Sequence, residues 1–138
     1  MKKVLIDTDV LLDFFFDRQP FSLDSAKILS LCELNKIQGF ITPVIYSNMY
    51  YLLRKVGSHE KVIEKLNKLL SITNVLIIDK AVVYKSLNSK FKDFEDALQN
   101  YAAENSNSIN VILTRNTKDF KNSQLGVFTP DNYLKLLK

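Results

Sequence analysis

A chain of 138 residues, 46% hydrophobic and 25% charged, suits one compact domain with a real core. Three glycines and three prolines leave little room for a flexible linker, a lone cysteine excludes an intrachain disulfide, and no apolar run approaches the ~20 residues of a membrane span. The net charge of +4 rests on 19 basic residues, all lysine except Arg18, Arg54 and Arg115, with no dense basic stripe along the sequence; a lysine- and asparagine-rich composition accounts for it more simply than steering toward nucleic acid.

Lys2 and Lys3 precede only Val4, Leu5 and Ile6 before Asp7, too short a run for a secretory leader, so a cytoplasmic protein is expected. That apolar run predicts a strand buried on both faces, and Val10 to Phe16 a helix broken by Pro20. Ser22 is the expected N-cap of a helix over 23–37, with Ala26, Leu29, Cys32, Leu34 and Ile37 inward and Gly39 as its stop signal. Phe40-Ile41-Thr42 reads as a second strand. Pro43 opens a helix to about Lys55, Gly57 ends it, and a further helix runs from His59 to Leu70. Val75 to Ile78 is expected to be a third buried strand, with Asp79 capping a helix over 80–89. Asp93 begins a helix to about Asn105. Val111-Ile112-Leu113 predicts a fourth strand, Val127-Phe128 a short fifth, and 131–137 a last helix. The alternation implies an α/β domain over 1–138, a parallel sheet of four or five strands with helices on both faces. In such folds ligands bind beyond the carboxyl ends of the strands.

Three polar sets fall at those ends or face them: Asp7 and Asp9; Asp93, Glu95 and Asp96; and Thr114, Arg115, Asn116 and Asp119. Gathered carboxylates repel one another, and a shared divalent cation with hard oxygen ligands is the economical reason to bring them together. Each set also has a plain structural reading. Asp7 and Asp9 suit a helix start. Asp93 and Asp96 have capping-box spacing. Asp119 is a helix-surface charge. Their joint placement at strand ends favours the site. His59 has no evident partner, Cys32 reads as core, and Tyr46, Tyr50 and Tyr51 as packing more than base stacking. No Ser-His-Asp or Cys-His pairing and no glycine-rich phosphate loop is present.

The opening Val4-Leu5-Ile6-Asp7-Thr8-Asp9-Val10-Leu11-Leu12-Asp13 resembles the start of a PIN domain. Asp93-Phe94-Glu95-Asp96-Ala97-Leu98, followed by Ala102-Ala103, is similar to the later acidic helix of that family. Thr114 to Phe120 is similar to its last strand end and turn, and Thr129-Pro130 before a last helix also fits. The resemblance spans nearly the whole chain. It implies a Rossmann-like sheet, Mg²⁺ or Mn²⁺ dependence and cleavage of RNA, in the manner of VapC-type toxins of toxin–antitoxin pairs: homodimers held by a small antitoxin. It assigns Asp7 and Asp96 as catalytic carboxylates and metal ligands, with Asp119 as the fourth acid and Asn116 assisting. Asp93 is a further candidate ligand. Two positions depart from the family pattern. Asp9 stands where Asn is usual, and Asn48 stands where the second acid, a Glu, is expected, so that Asn48 offers an uncharged oxygen. The surplus of apolar surface at Tyr46, Tyr50, Tyr51, Leu52 and Leu53 is in line with a homodimer.

Three other readings share parts of this pattern. Asp7-Thr8-Asp9 with Glu95-Asp96 resembles the acids of a haloacid-dehalogenase-type phosphatase, but 88–92 does not read as the apolar strand that should precede the second pair. A response-regulator receiver lacks its phospho-acceptor and lysine. A PIN-fold RNA-binding module weakened in catalysis is the alternative that Asn48 raises.

Overall fold

The computed structural model describes Met1 to Leu137; Lys138, the last residue of the expected domain, lies outside the described residues. Five strands, β1 (Lys2–Ile6), β2 (Ile37–Ile41), β3 (Asn74–Val75), β4 (Val111–Leu113) and β5 (Gly126–Phe128), form one sheet in the order β3-β2-β1-β4-β5. Every pairing is parallel. Helices α1 (Thr8–Phe15), α2 (Ser22–Glu33), α3 (Pro43–Leu53), α4 (His59–Ile72), α5 (Lys80–Leu87), α6 (Phe94–Asn105) and α7 (Pro130–Leu136) link and cover the strands, and Thr117–Phe120 makes one 3₁₀ turn. α1 packs on α2 and α3, α2 also on α4 and α7, and α5 on α6.

The central strand is the most apolar: Val4, Leu5 and Ile6 are fully buried, and so are Ile112 and Leu113 beside them. Parallel strands covered on both faces require such continuous apolar runs. The topology fixes where a site can form. The chain builds outward from β1 through β2 to β3, then crosses back to lay β4 on the other side of β1. The connections leaving β1 and β4 therefore diverge, opening a crevice at their carboxyl ends.

The expected elements are present, with shifted limits. α2 ends at Glu33 rather than 37, because Asn35 takes a left-handed conformation (φ 58°) that turns the chain into β2. Leu34 is consequently exposed, and Ile37 is a strand residue. Ser22 is not the cap; it is the first helical residue, and the preceding Phe21 makes no side-chain capping bond. Gly39 is not a stop signal but lies inside β2, where a Cβ would come within 2.8 Å of Cys32 Sγ and 2.9 Å of Ile6 Cδ1. The expected buried strand over Val75 to Ile78 shrinks to two residues at the sheet edge, with Leu76 buried but Val75 and Ile77 exposed, because an edge strand has a neighbour on one side only. Thr42, Ser58, Asp79, Asp93 and Thr129 each accept a backbone N–H at the start of their helix, as helix starts require. Among the described residues no helix is long and apolar enough to cross a membrane.

Candidate active site

Asp7 follows directly on β1. Its backbone N–H still belongs to the sheet, donating to Leu113 O at 3.0 Å, while its side chain turns over the crevice. Asp7 Oδ1 accepts from Thr8 N (2.8 Å) and Oδ2 from the Thr114 hydroxyl (2.9 Å), so two chain segments 107 residues apart fix one carboxylate. Asp9, two residues on, holds the loop after β4: its Oδ2 accepts from Arg115 N (3.0 Å), Asn116 Nδ2 (3.0 Å) and the Thr114 hydroxyl (3.3 Å). Its other oxygen, Oδ1, is buried and has no partner among the described residues.

α6 brings the third set. Asp93 caps it, accepting from Asp96 N at 2.9 Å, which fixes Asp96 in the first turn. The start of α6 is tied to that of α3: the Thr42 hydroxyl, which also caps α3, donates to Gln99 Oε1 at 2.6 Å, and Asn48 Nδ2 donates to Glu95 Oε2 at 2.9 Å.

Asp7, Asp9, Asn48, Glu95, Asp96 and Asn116 thus face a common cavity of about 370 Å³, with Tyr51 and Leu52 on its rim. Asp93 and Asp119 do not line it; they line an adjoining cleft that shares Asp96. The expected convergence of Asp7, Asp96 and Asp119 on one cation is therefore met only as an electrostatic neighbourhood. Among the described residues, no three acidic, histidine or cysteine side chains are gathered tightly enough to hold an ion as they stand. The charges do act on one another. Burial, with Asp9 next and Asp119 adding to it, pushes Asp7 up to about 7. Burial, followed by the charges of Asp7, Asp93, Asp119 and Glu95, pushes Asp96 up to about 7. Burial also raises Asp9, against the lowering effect of the Arg115 backbone donor and guanidinium.

This repulsion has a measurable sign. The unfolded chain releases the Asp7 and Asp96 protons near their ordinary value of 3.8 and the folded chain only near 7, so the folded state binds more protons in between. Stability of the chain in chelator is expected to be highest at the acid end of that window, to fall as pH rises from about 4, and to level off above about 7. Thermal unfolding in chelator at either end of the range should show it, on a scale of roughly 2–8 °C per kcal/mol. A midpoint that rises with pH would contradict the arrangement.

Other expectations meet a definite outcome. Cys32 is buried core, its thiol pushed up to about 11 by burial. His59 does have a partner: the Tyr50 hydroxyl lies 2.9 Å from its Nδ1. Tyr46 pairs with the Thr73 hydroxyl at 3.3 Å; Leu53 is buried, Tyr50 and Leu52 are partly so, and Tyr51 alone of the expected apolar surplus is exposed. Residues 88–92 form turns rather than a strand, which removes the structural premise of the phosphatase reading. Unforeseen was the pair of Asp13 and Arg115. Asp13 is fully buried on α1, with Arg115 Nε 2.5 Å from Oδ2 and Nη2 3.0 Å from Oδ1. The one sequence signal was an acid on an otherwise apolar helix stretch, four residues after Asp9.

A family model described as PIN domain matches residues 3–118. Ribonuclease VapC1 of Aquifex aeolicus is 26% identical over 137 residues, spanning 96% of this chain and 93% of that protein. Among solved structures, VapBC-1 from nontypeable Haemophilus influenzae aligns with a TM-score of 0.69 at 15% identity, over 94% of this chain and 98% of that one. VapBC2 from Rickettsia felis, bound to a DNA fragment from their promoter, aligns with a TM-score of 0.67 at 14% identity, over 91% and 96%. These structures share the fold.

Proposed function

The chain belongs to the PIN domain family, and on that footing we propose that it is a divalent-metal-dependent endoribonuclease, the toxin of a type II toxin–antitoxin pair acting in the cytoplasm. The observation that carries the reading is the gathering of Asp7, Asp9 and Asp96 around one cavity at the carboxyl ends of β1 and β4. The name of the Aquifex relative supports RNA as substrate, and the solved VapBC complexes support a cognate antitoxin as partner.

Mg²⁺ or Mn²⁺ suits the donor set. The ligands on offer are hard oxygens, one of them, Asp9 Oδ1, is buried without a partner among the described residues, and Asp7 and Asp96 are hard to ionise together without a cation. Asp7 and Asp96 would hold the ion, with Asp9, Asn116, Asn48, Asp93 and Asp119 around them, and Asp7, Asp96 and Asp119 as the catalytic acids. When bound, such an ion activates a water and offsets charge on the scissile phosphate. The chain's own part is orientation. Thr8 and Thr114 hold Asp7 with both oxygens aimed, the Asp93 cap holds Asp96, and Asp9 pins the loop carrying Asn116. Cleavage of a mixed-sequence RNA by pure protein in Mn²⁺, lost in chelator, is the expected result. Binding without cleavage would leave the weakened RNA-binding module instead.

At Asn48 the family's second acid is absent, and the Asn48 amide instead draws a Glu95 oxygen to 2.9 Å, so a carboxylate reaches that wall from α6. Asn48→Glu adds a charge beside a partly buried ion and is expected to tighten Mn²⁺ binding by about tenfold, in line with ~1 kcal/mol or more for a charge at that range. Calorimetric titration of Asn48→Glu, and of Asn48→Glu with Asp9→Asn, checks it. Unchanged affinity in both would put Asn48 and Asp9 out of the ion's reach.

The homodimer rests on less of α3 than the sequence suggested, but Tyr51 on α3, Val56 in the turn after it, and Tyr84 and Leu87 on α5 remain exposed. Sedimentation at micromolar concentration is expected to give a dimer that Tyr51→Glu weakens; monomer throughout would refute it.

A further inference from the structure

Next to the acidic cavity is a larger cleft of about 610 Å³. Lys90 and Lys92, from the turns before α6, line it together with Lys118 and Lys121, from the 3₁₀ turn and its end, and Asp93, Asp96 and Asp119 lie among them, so that the lysines outnumber the carboxylates by one. All four lysines are exposed, and none makes an ion pair among the described residues, although carboxylates share the cleft. The acidic cavity, in contrast, has no basic residue in its lining. Asp96 belongs to both, so the two adjoin at that residue.

We propose that this cleft binds the phosphodiester backbone of the RNA strand on one side of the bond to be cut. The inference rests on the nuclease reading and adds the path of the substrate. A cavity walled by Asp7, Asp9, Glu95 and Asp96 repels a polyanion, and a phosphate reaches it only if positive charge close by offsets that repulsion. Lysine ammoniums are compact charges on flexible stems, suited to phosphate contacts that position a strand without reading its bases. The four lysines come from two chain segments, the turns before α6 and the 3₁₀ turn with its end, and a strand leaving the cavity past Asp96 would meet both. The cavity's own lining offers Tyr51 and Leu52 but no lysine, and Lys55 Nζ lies 5.0 Å from the Tyr51 ring centroid.

The test uses an end-labelled single-stranded oligoribonucleotide of about a dozen nucleotides, with the Asp7→Asn chain to prevent cleavage. Fluorescence anisotropy is followed over roughly 50 to 300 mM NaCl. Lys90, Lys92, Lys118 and Lys121 are changed together to Gln, and a control carries Lys61→Gln, Lys65→Gln and Lys68→Gln on α4. The cleft variant is expected to lose roughly 10- to 100-fold in affinity near 100 mM salt. Its plot of log affinity against log salt should flatten by about 0.7 for each phosphate contact removed. The control should stay within about twofold, since its lysines lie away from the strand's path. In the chain with Asp7 intact, removal of the cleft lysines should raise KM far more than it lowers kcat. Equal losses in both sets would reduce the effect to net charge and overturn the inference, as would cleavage with KM unchanged by loss of the cleft lysines. An Asp7→Asn chain that binds no RNA, with an unsubstituted chain that cuts none, would overturn the nuclease reading and the inference together.

Discussion

Asp7→Asn leaves a folded chain whose metal-dependent cleavage of RNA is lower by on the order of 10³-fold or more, the several kcal/mol expected when a central carboxylate ligand loses its charge. The substitution is close to isosteric. The retained oxygen still accepts from Thr8 N, and the Thr114 hydroxyl can accept from the new amide instead of donating to Oδ2. The metal-free variant should also melt higher than the parent at neutral pH, because it no longer ionises a buried carboxyl that burial and Asp9 push up to about 7. The two effects run in opposite directions, as expected where a site is held together at some cost to the fold. Cleavage at the parental rate would remove Asp7 from the mechanism. Lost cleavage with a lowered melting point would mean that the carboxylate serves the fold rather than the reaction.

Asp13→Ala is expected to cost about 3–5 kcal/mol of folding stability, the range for breaking a buried ion pair from one side. Asp13 is fully buried, and its oxygens are occupied by the Arg115 fork, with Arg18 Nη1 a further 3.7 Å from Oδ1. The Arg115 guanidinium also lies over the Phe21 ring, 4.0 Å from its centroid. Arg115→Lys keeps the charge but loses the fork and the stacking, so it should fall between the parent and Asp13→Ala. Urea unfolding measures both, with exposed Glu33→Ala at the end of α2 as a control expected within about 0.5 kcal/mol of the parent. A cost below about 1 kcal/mol for Asp13→Ala would reduce the pair to a surface contact. Because Arg115 N also donates to Asp9 Oδ2, Asp13→Ala should loosen the Thr114–Asn116 loop and weaken metal binding without touching the cavity.

The existence of the strands and the placement of Asp7, Asp9 and Asp96 after or facing them were legible because they depend on local patterns. Continuous apolar runs mark β1 and β4, and polar residues directly after such runs fall at the sheet's carboxyl end. The capping spacing of Asp93 and Asp96 was equally local. What could not be read was set by partners distant in sequence. Gly39 looked like a helix stop because its reason, the approach of Cys32 and Ile6, is tertiary. Val75 to Ile78 looked like a buried strand because no sequence window shows which strand lies at an edge. Asp119 looked level with Asp7 and Asp96, yet the 3₁₀ turn carries it to the next cleft. Lys90 and Lys92 are separated from Lys118 and Lys121 by the whole of α6 and β4, so no stretch of sequence displays them as one basic surface.

The hydrogen bond between Thr114 and Asp7 has a bearing on when activity can first exist. Synthesis delivers Asp7 early, but its partner hydroxyl and the Arg115–Asn116 loop arrive 107 residues later, after six helices have already been made. Until β4 has left the ribosome and seated beside β1, the amino-terminal carboxylates face no opposing wall, and contacts this distant along the chain close late in folding. An unfinished chain ending before Val111 therefore carries Asp7, Asp9 and Asp96 without the strand that completes their crevice. Completion of the crevice thus waits on the seating of β4 beside β1.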